Sequence, residues 1–135
     1  MDSVEALTRV VASVADLRLA VLFGSAARGE DRADSDLDVG VLFAGGAQTD
    51  PAALRVRLER ETGRVVDLIQ LDSAAPLLRM EIGRHGRVLF EREAGAWSLF
   101  RAHAMIDWWD WAPTARMMHK TAAQRLREEA ARGPS

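Results

Sequence analysis

Apolar and polar residues follow two periods along this chain, and the switches between them mark out helices and strands. Val4, Leu7, Val10, Val11 and Val14 recur at helical spacing, and Asp2 with Glu5 has the capping-box spacing. A first amphipathic helix ending near Asp16 is predicted. Leu19 to Phe23 is a continuous apolar run stopped by Gly24-Ser25, which reads as a buried strand. From Asp36 to Phe43 the period becomes two: Leu37, Val39 and Val41 alternate with Asp36, Asp38 and Gly40. This strand ends at the flexible Ala44-Gly45-Gly46 turn. Asp50-Pro51 is a good cap and first-turn pair for a second helix carrying Leu54, Val56 and Leu58 to Thr62, ended by Gly63.

Arg64 to Leu71 reads as a third strand, with Val65, Asp67 and Ile69 on one face and Val66, Leu68 and Gln70 on the other. Pro76 to Arg84 reads as a short helix and Gly86 to Glu91 as a last strand. Beyond Ala96, Trp97, Phe100, Ala104, Trp108 and Trp111 recur at helical spacing, with Trp109 off that stripe. Pro113 is expected to end this helix, and Thr114 to cap a final one carrying Met117, Met118, Ala122 and Leu126. The alternation predicts an α/β (α+β) domain with helices packed on a sheet.

With 135 residues the chain forms one domain by default, able to bury roughly two-thirds of its unfolded surface. A net charge of −2 provides no general field for nucleic acid, so no direct nucleic-acid binding is expected. The absence of cysteine excludes a disulfide scaffold and thiolate chemistry. No apolar run approaches the ~20 residues of a membrane span. The first residues are acidic where a signal peptide would be basic, so a cytoplasmic location is expected. The chain also contains no tyrosine.

The candidate chemistry gathers around the first strand. Gly24 permits a sharp turn, Ser25 sits where a helix N-cap belongs, and Ala26-Ala27-Arg28 could start a short helix. A helix start there would present unpaired N–H groups to an anion such as phosphate. After ten intervening residues come Asp36 and Asp38, whose carboxylates would point the same way from a strand. Arg28 and Arg32 could offset their repulsion, but Mg²⁺, a hard cation taking carboxylate and phosphate oxygens, answers it better. Asp67 stands among apolar residues in the third strand, where a charge is expected to be paired or metal-bound. His103 and His119 are too far from each other and from the acids to suggest a metal site.

Gly24-Ser25, ten residues and Asp36-Leu37-Asp38 resemble the signature of nucleotidyltransferases of the DNA polymerase β superfamily. Ala27-Arg28-Gly29 and Ser35-Asp36-Leu37-Asp38-Val39 resemble its minimal nucleotidyltransferase (MNT) group. The resemblance runs over residues 17–91 and implies a nucleotidyltransferase fold, a mixed β-sheet flanked by helices with the active site at one edge. It suggests a nucleotidyltransferase core over residues 1–93 and a Trp-rich helical extension over 94–135. It implies that Gly24 and Ser25 contact the triphosphate of ATP, with Arg28 near the cradle. It also implies that Asp36, Asp38 and Asp67 are catalytic and hold two Mg²⁺ ions, which are ~4 Å apart in two-metal sites of this kind.

Stand-alone MNT proteins resemble antitoxins that silence HEPN-type ribonuclease toxins by transferring AMP to a toxin tyrosine. The lack of tyrosine here fits an acceptor in another chain. The expected function is thus Mg²⁺-dependent protein adenylyl transfer by an antitoxin. A non-catalytic antitoxin acting by occlusion through the tryptophan surface is the alternative of a different class. Transfer to a small molecule such as an aminoglycoside is a third, which the net basic tail disfavours. Oligomeric state is left open.

Overall fold

The computed structural model describes residues 2–29 and 35–132, with side chains beyond Pro113 described only at Met117, Gln124, Arg125 and Arg127. Arg32 and the side chains of Met118, Ala122 and Leu126 lie outside the described residues, whereas Thr114, expected to cap a final helix, sits inside a continuous one. The elements are α1 (Ser3–Ala12), β1 (Leu17–Phe23), β2 (Leu37–Phe43), α2 (Pro51–Thr62) and β3 (Val66–Gln70). A 3₁₀ turn (Leu71–Ser73), α3 (Pro76–His85), β4 (Arg87–Glu91) and α4 (Ala96–Arg132) complete the order. The sheet runs β3-β2-β1-β4, with β1 antiparallel to both its neighbours and β2 parallel to β3. It is the mixed α/β architecture the alternation predicts.

Both faces of the sheet are covered, which explains the near-continuous apolar run of β1. On one face Ala20, Leu22, Leu37, Val39, Val41 and Val66 pack with Leu7, Val10 and Val11 of α1 and with Leu54 and Leu58 of α2. On the other, Leu19 and Val21 pack with Ile82 of α3, Phe100 and Ala104 of α4, and Leu71. Gly40 is required on that second face, because a Cβ there would press into the Leu71 side chain. Of the three apolar residues expected to seat α2, Val56 turns outward while Leu54 and Leu58 are buried.

The caps form as the sequence predicts: the Glu5 N–H donates to Asp2 Oδ1 (2.8 Å), and the Ala52 N–H to Asp50 Oδ1 (3.0 Å). Gly63 ends α2 in the left-handed region, with φ 67°. Two helix ends differ from expectation. First, α1 stops at Ala12 with Ser13 at its C-cap, short of Asp16. The Asp16 carboxylate accepts from the backbone N–H groups of Gln48 and Thr49 (3.0 and 3.2 Å) and from Thr49 Oγ1 (2.5 Å), tying the start of β1 to the turn before α2.

Second, α4 continues through Pro113, so the expected helix stop is corrected. Proline removes one helical hydrogen bond, a disruption of about 3 kcal/mol. Ala112 beside it is buried and the Trp108 and Trp111 rings lie 5.6 Å apart, so packing holds the turn that proline weakens. At the other end of α4, Phe100 and Ala104 face the core, and Trp97 stacks on Phe100 at 5.8 Å. That part of the tryptophan stripe serves the chain's own packing, whereas Trp109 is 73% exposed. Among the described residues no helix is long and apolar enough to cross a membrane.

The Asp16 hub carries a pH signature. Its carboxyl is held below the ordinary aspartate value, chiefly by the Thr49 hydroxyl and further by the Gln48 and Thr49 amides. A lowered folded-state value means the stabilisation is complete above the unfolded value near 4 and is lost as acid protonates the folded carboxylate. Asp16→Ala is therefore expected to lower Tm at pH 7, and the gap to wild type should narrow as pH falls below about 4. A gap independent of pH would contradict this assignment.

Candidate active site

Three strand ends meet at one rim of the sheet. In the antiparallel β1–β2 ladder Phe23, the last residue of β1, stands opposite Asp38. In the parallel β2–β3 ladder Asp38 stands opposite Asp67. Neighbouring strands are ~4.8 Å apart, and registered partners in a parallel pair point to the same face. Asp38 and Asp67 are therefore neighbours, and Asp36 precedes Asp38 by two residues on the same side. Two segments thirty residues apart in the chain bring their acids to one place.

Electrostatics records the closeness. Burial pushes the Asp38 carboxyl above the ordinary aspartate value, the negative charges of Asp67 and Asp36 raise it further, and Arg28 pulls the other way. Arg28, expected near the cradle, is thus close enough to act on Asp38. Gly24 completes the wall. Its φ of 72° is left-handed, and a Cβ at this position would collide with the Asp38 carboxylate oxygen. The backbone turn and the carboxylate press together so closely that only glycine fits between them.

Two expectations are corrected here. Ser25 does not cap a helix. Residues 24–29 form successive turns, with the Arg28 N–H donating to the Ser25 carbonyl (3.2 Å) and the Gly29 N–H to that of Ala26 (3.3 Å). Gly24 and Gly29, both at left-handed φ, bracket only four residues, too few to offset the cost of nucleating a helix. Any anion cradle here consists of turn amides. Asp67 is not a charge inside a buried strand either. β3 is the edge of the sheet and Asp67 is exposed. Its place opposite Asp38, not burial, singles it out.

Asp36 is exposed, whereas Asp38 and Ser25 are half-buried. Among the described residues no three His, Cys, Asp or Glu side chains form a ready-made metal cluster. The acids fit a divalent cation on other grounds: three like charges converge on one rim, and burial together with the charges of Asp67 and Asp36 raises the cost of ionising Asp38. A cation relieves that repulsion. One contributor escapes the sequence reading. The guanidinium of Arg64 donates twice to the Ser35 carbonyl, immediately before Asp36. An arginine at a strand end ordinarily reads as solvated, so no pattern marks it.

The chain belongs to the polymerase beta nucleotidyltransferase family, whose description (Polymerase beta, Nucleotidyltransferase) matches residues 5–94. A Methanocaldococcus jannaschii protein provisionally named a protein adenylyltransferase is 37% identical over 67 residues, covering 49% of this chain and 72% of the other. Among solved structures, a chain of a toxin–antitoxin crystal structure with AMP-PNP superposes with a TM-score of 0.74 at 22% identity, covering 88% of this chain and 98% of that one. A chain from the complex of a tri-AMPylated Shewanella oneidensis HEPN toxin with its MNT antitoxin gives 0.69 at 20% identity, covering 89% and 96%. A structure provisionally described as a minimal nucleotidyltransferase gives 0.53 at 37% identity, covering 64% and 95%. The first two are likenesses of fold.

The repulsion at the rim has a measurable consequence. Because folding raises the Asp38 value, the folded chain binds the proton more tightly than the unfolded one, and ionising Asp38 opposes folding as pH rises past about 4. Asp38→Asn should leave the metal-free chain at least as stable as wild type at pH 7, with any advantage shrinking in acid. A fall of several degrees in Tm would instead mark this carboxylate as a structural hydrogen-bond acceptor.

Proposed function

We propose that this chain transfers AMP from ATP to a tyrosine hydroxyl of a partner HEPN-type toxin and acts as its antitoxin. The carrying observation is the convergence of Asp36, Asp38 and Asp67 at one rim beside the Gly24 turn. In this reading Asp36 and Asp38 hold two Mg²⁺ ions and Asp67 is the third carboxylate. Gly24 and Ser25 bind the triphosphate through the turn, and Arg28 offsets part of its charge. Magnesium bound there supplies Lewis-acid stabilisation of the phosphates and lowers the pKa of a coordinated hydroxyl.

The protein's own groups account for the remaining needs. Asp67, exposed on the edge strand, lies where an acceptor can approach, and takes the proton from the incoming hydroxyl. The acceptor oxygen bonds to the α-phosphorus, the bond to the bridging oxygen breaks, and pyrophosphate leaves. Asp38 is mounted on β2, an inner strand covered on both faces, so little reorganisation of that acid is required at the moment of reaction. Exposure of Asp36 and Asp67 suits a macromolecular acceptor, which need not enter a closed pocket. The partner is suggested by the HEPN–MNT complex among the structural likenesses, and a tyrosine acceptor must lie in another chain, since this one has none. In this reading the activity is cytoplasmic, where ATP and a ribonuclease target would both be met.

A second reading, antitoxin by occlusion, is favoured by one feature. Leu99, Ile106 and Trp109 of α4 are 53%, 57% and 73% exposed, leaving an apolar strip that a partner could cover without chemistry.

Intact-mass measurement of the partner, after incubation with this chain, ATP and Mg²⁺, separates the two. Transfer predicts increments of AMP that require metal, and Asp36→Asn with Asp38→Asn should reduce their rate by at least ~100-fold. The same double variant should fail to protect cells from the toxin. Protection retained without any mass increment would favour occlusion and overturn the transfer proposal.

A further inference from the structure

Arg64 stands between Gly63, which ends α2, and the first residues of β3. Its Nε and Nη2 donate to the Ser35 carbonyl at 3.1 and 2.7 Å, and its Nη1 donates to Ser3 Oγ at 3.4 Å. Ser35 is where the chain enters β2. The next residue is Asp36, and the Leu37 N–H donates to the Val65 carbonyl (2.9 Å), the first link between the two strands. Leu37 then pairs with Val66, and Asp38 with Asp67. A charged fork ahead of β3 thus joins the start of β2, through the Ser35 carbonyl, to the start of α1, through the Ser3 hydroxyl.

The guanidinium works from the opposite face to the acids. By strand alternation Arg64 shares a side with Val66 and Leu68, which pack in the layer of α1 and α2, and its reach to Ser3 of α1 agrees. Asp36 and Asp38 point the other way. Arg64 therefore holds the backbone ahead of them from the face opposite their carboxylates. A backbone entering an edge pairing is otherwise free to fray, and a small displacement of Ser35 carries Asp36 with it.

We propose that Arg64 is a positioning residue: it fixes the backbone of 35–37 so that Asp36 and Asp38 are presented with Asp67 to a divalent cation. The proposal rests on the transfer reading of the three acids. Lysine would be a poor substitute, because a single ammonium lacks the planar fork that spans Ser35 and Ser3.

The test uses the full chain with Mn²⁺ alone as probe, its binding followed by electron paramagnetic resonance, together with hydrogen exchange at the Leu37 amide. Arg64→Gln is expected to weaken Mn²⁺ binding about tenfold and to speed Leu37 exchange by a similar factor, with Val21 exchange in the core unchanged. Arg64→Lys should fall between the two, and it gives both readouts should the Gln variant fail to fold. Unchanged Mn²⁺ affinity, or unchanged Leu37 exchange, overturns the proposal. If wild type binds Mn²⁺ no better than Asp38→Asn, the transfer reading falls and this role with it. Faster Leu37 exchange in Arg64→Gln would then show a clamp belonging to the fold alone, which keeps the two failures apart.

Discussion

Like charges set directly opposite each other on neighbouring strands destabilise a sheet, yet Asp38 and Asp67 occupy that relation here, with Asp36 two residues away. The rest of the site is arranged around this unfavourable contact. Asp67 lies on the edge strand, where water screens it, and Asp38, half-buried one strand inward, carries the larger electrostatic burden. Arg28 opposes the accumulated charge from the turn. The arrangement is unfavourable in metal-free solution, and under the proposed function divalent cations and polyphosphate would relieve it.

The fold supplies the rigidity that keeps such a contact from relaxing. The central strands are covered by α1 and α2 on one face and by α3 and α4 on the other, so they cannot twist aside to separate the acids. Small residues allow the close approaches this needs. Gly40 makes room for Leu71, and Gly83 of α3 lies against Ala104 of α4, where a Cβ would be 3.7 Å from the alanine methyl. Across the same helix pair Arg101 donates to the Gly83 carbonyl (2.9 Å) and Arg79 pairs with Asp107 (2.7 Å). α4 is thereby bound to the face of the sheet that also bears the acids, while Trp109 remains directed to solvent.

Much of this was legible in the chain itself, because local rules fixed it. Asp2, Asp50 and Gly63 act as caps wherever they occur in such contexts, and alternation in Leu37-Asp38-Val39 assigns each residue a face whatever lies beside it. The spacing of Gly24-Ser25 to Asp36 and Asp38 marks two segments that the structure brings to one rim. What periodicity cannot convey is which strand is an edge, so Asp67 was expected to be buried and is exposed. Nor can it weigh a short alanine segment against the flanking glycines, so the helix after Ser25 is instead a pair of turns. Pro113 in α4 is a case of tertiary packing overriding a local preference, and Arg64 acts on a carbonyl twenty-nine residues away. Long-range hydrogen bonds to backbone leave no trace in a single sequence.

The central claim is that the three aspartates share one field that a divalent cation relieves. A ¹³C-detected titration of the Asp38 side-chain carboxyl, without and with Mg²⁺, tests it most directly. The account predicts a midpoint above that of an ordinary aspartate in metal-free buffer, brought down by Asp67→Asn and by added Mg²⁺. An ordinary midpoint that responds to neither would contradict it.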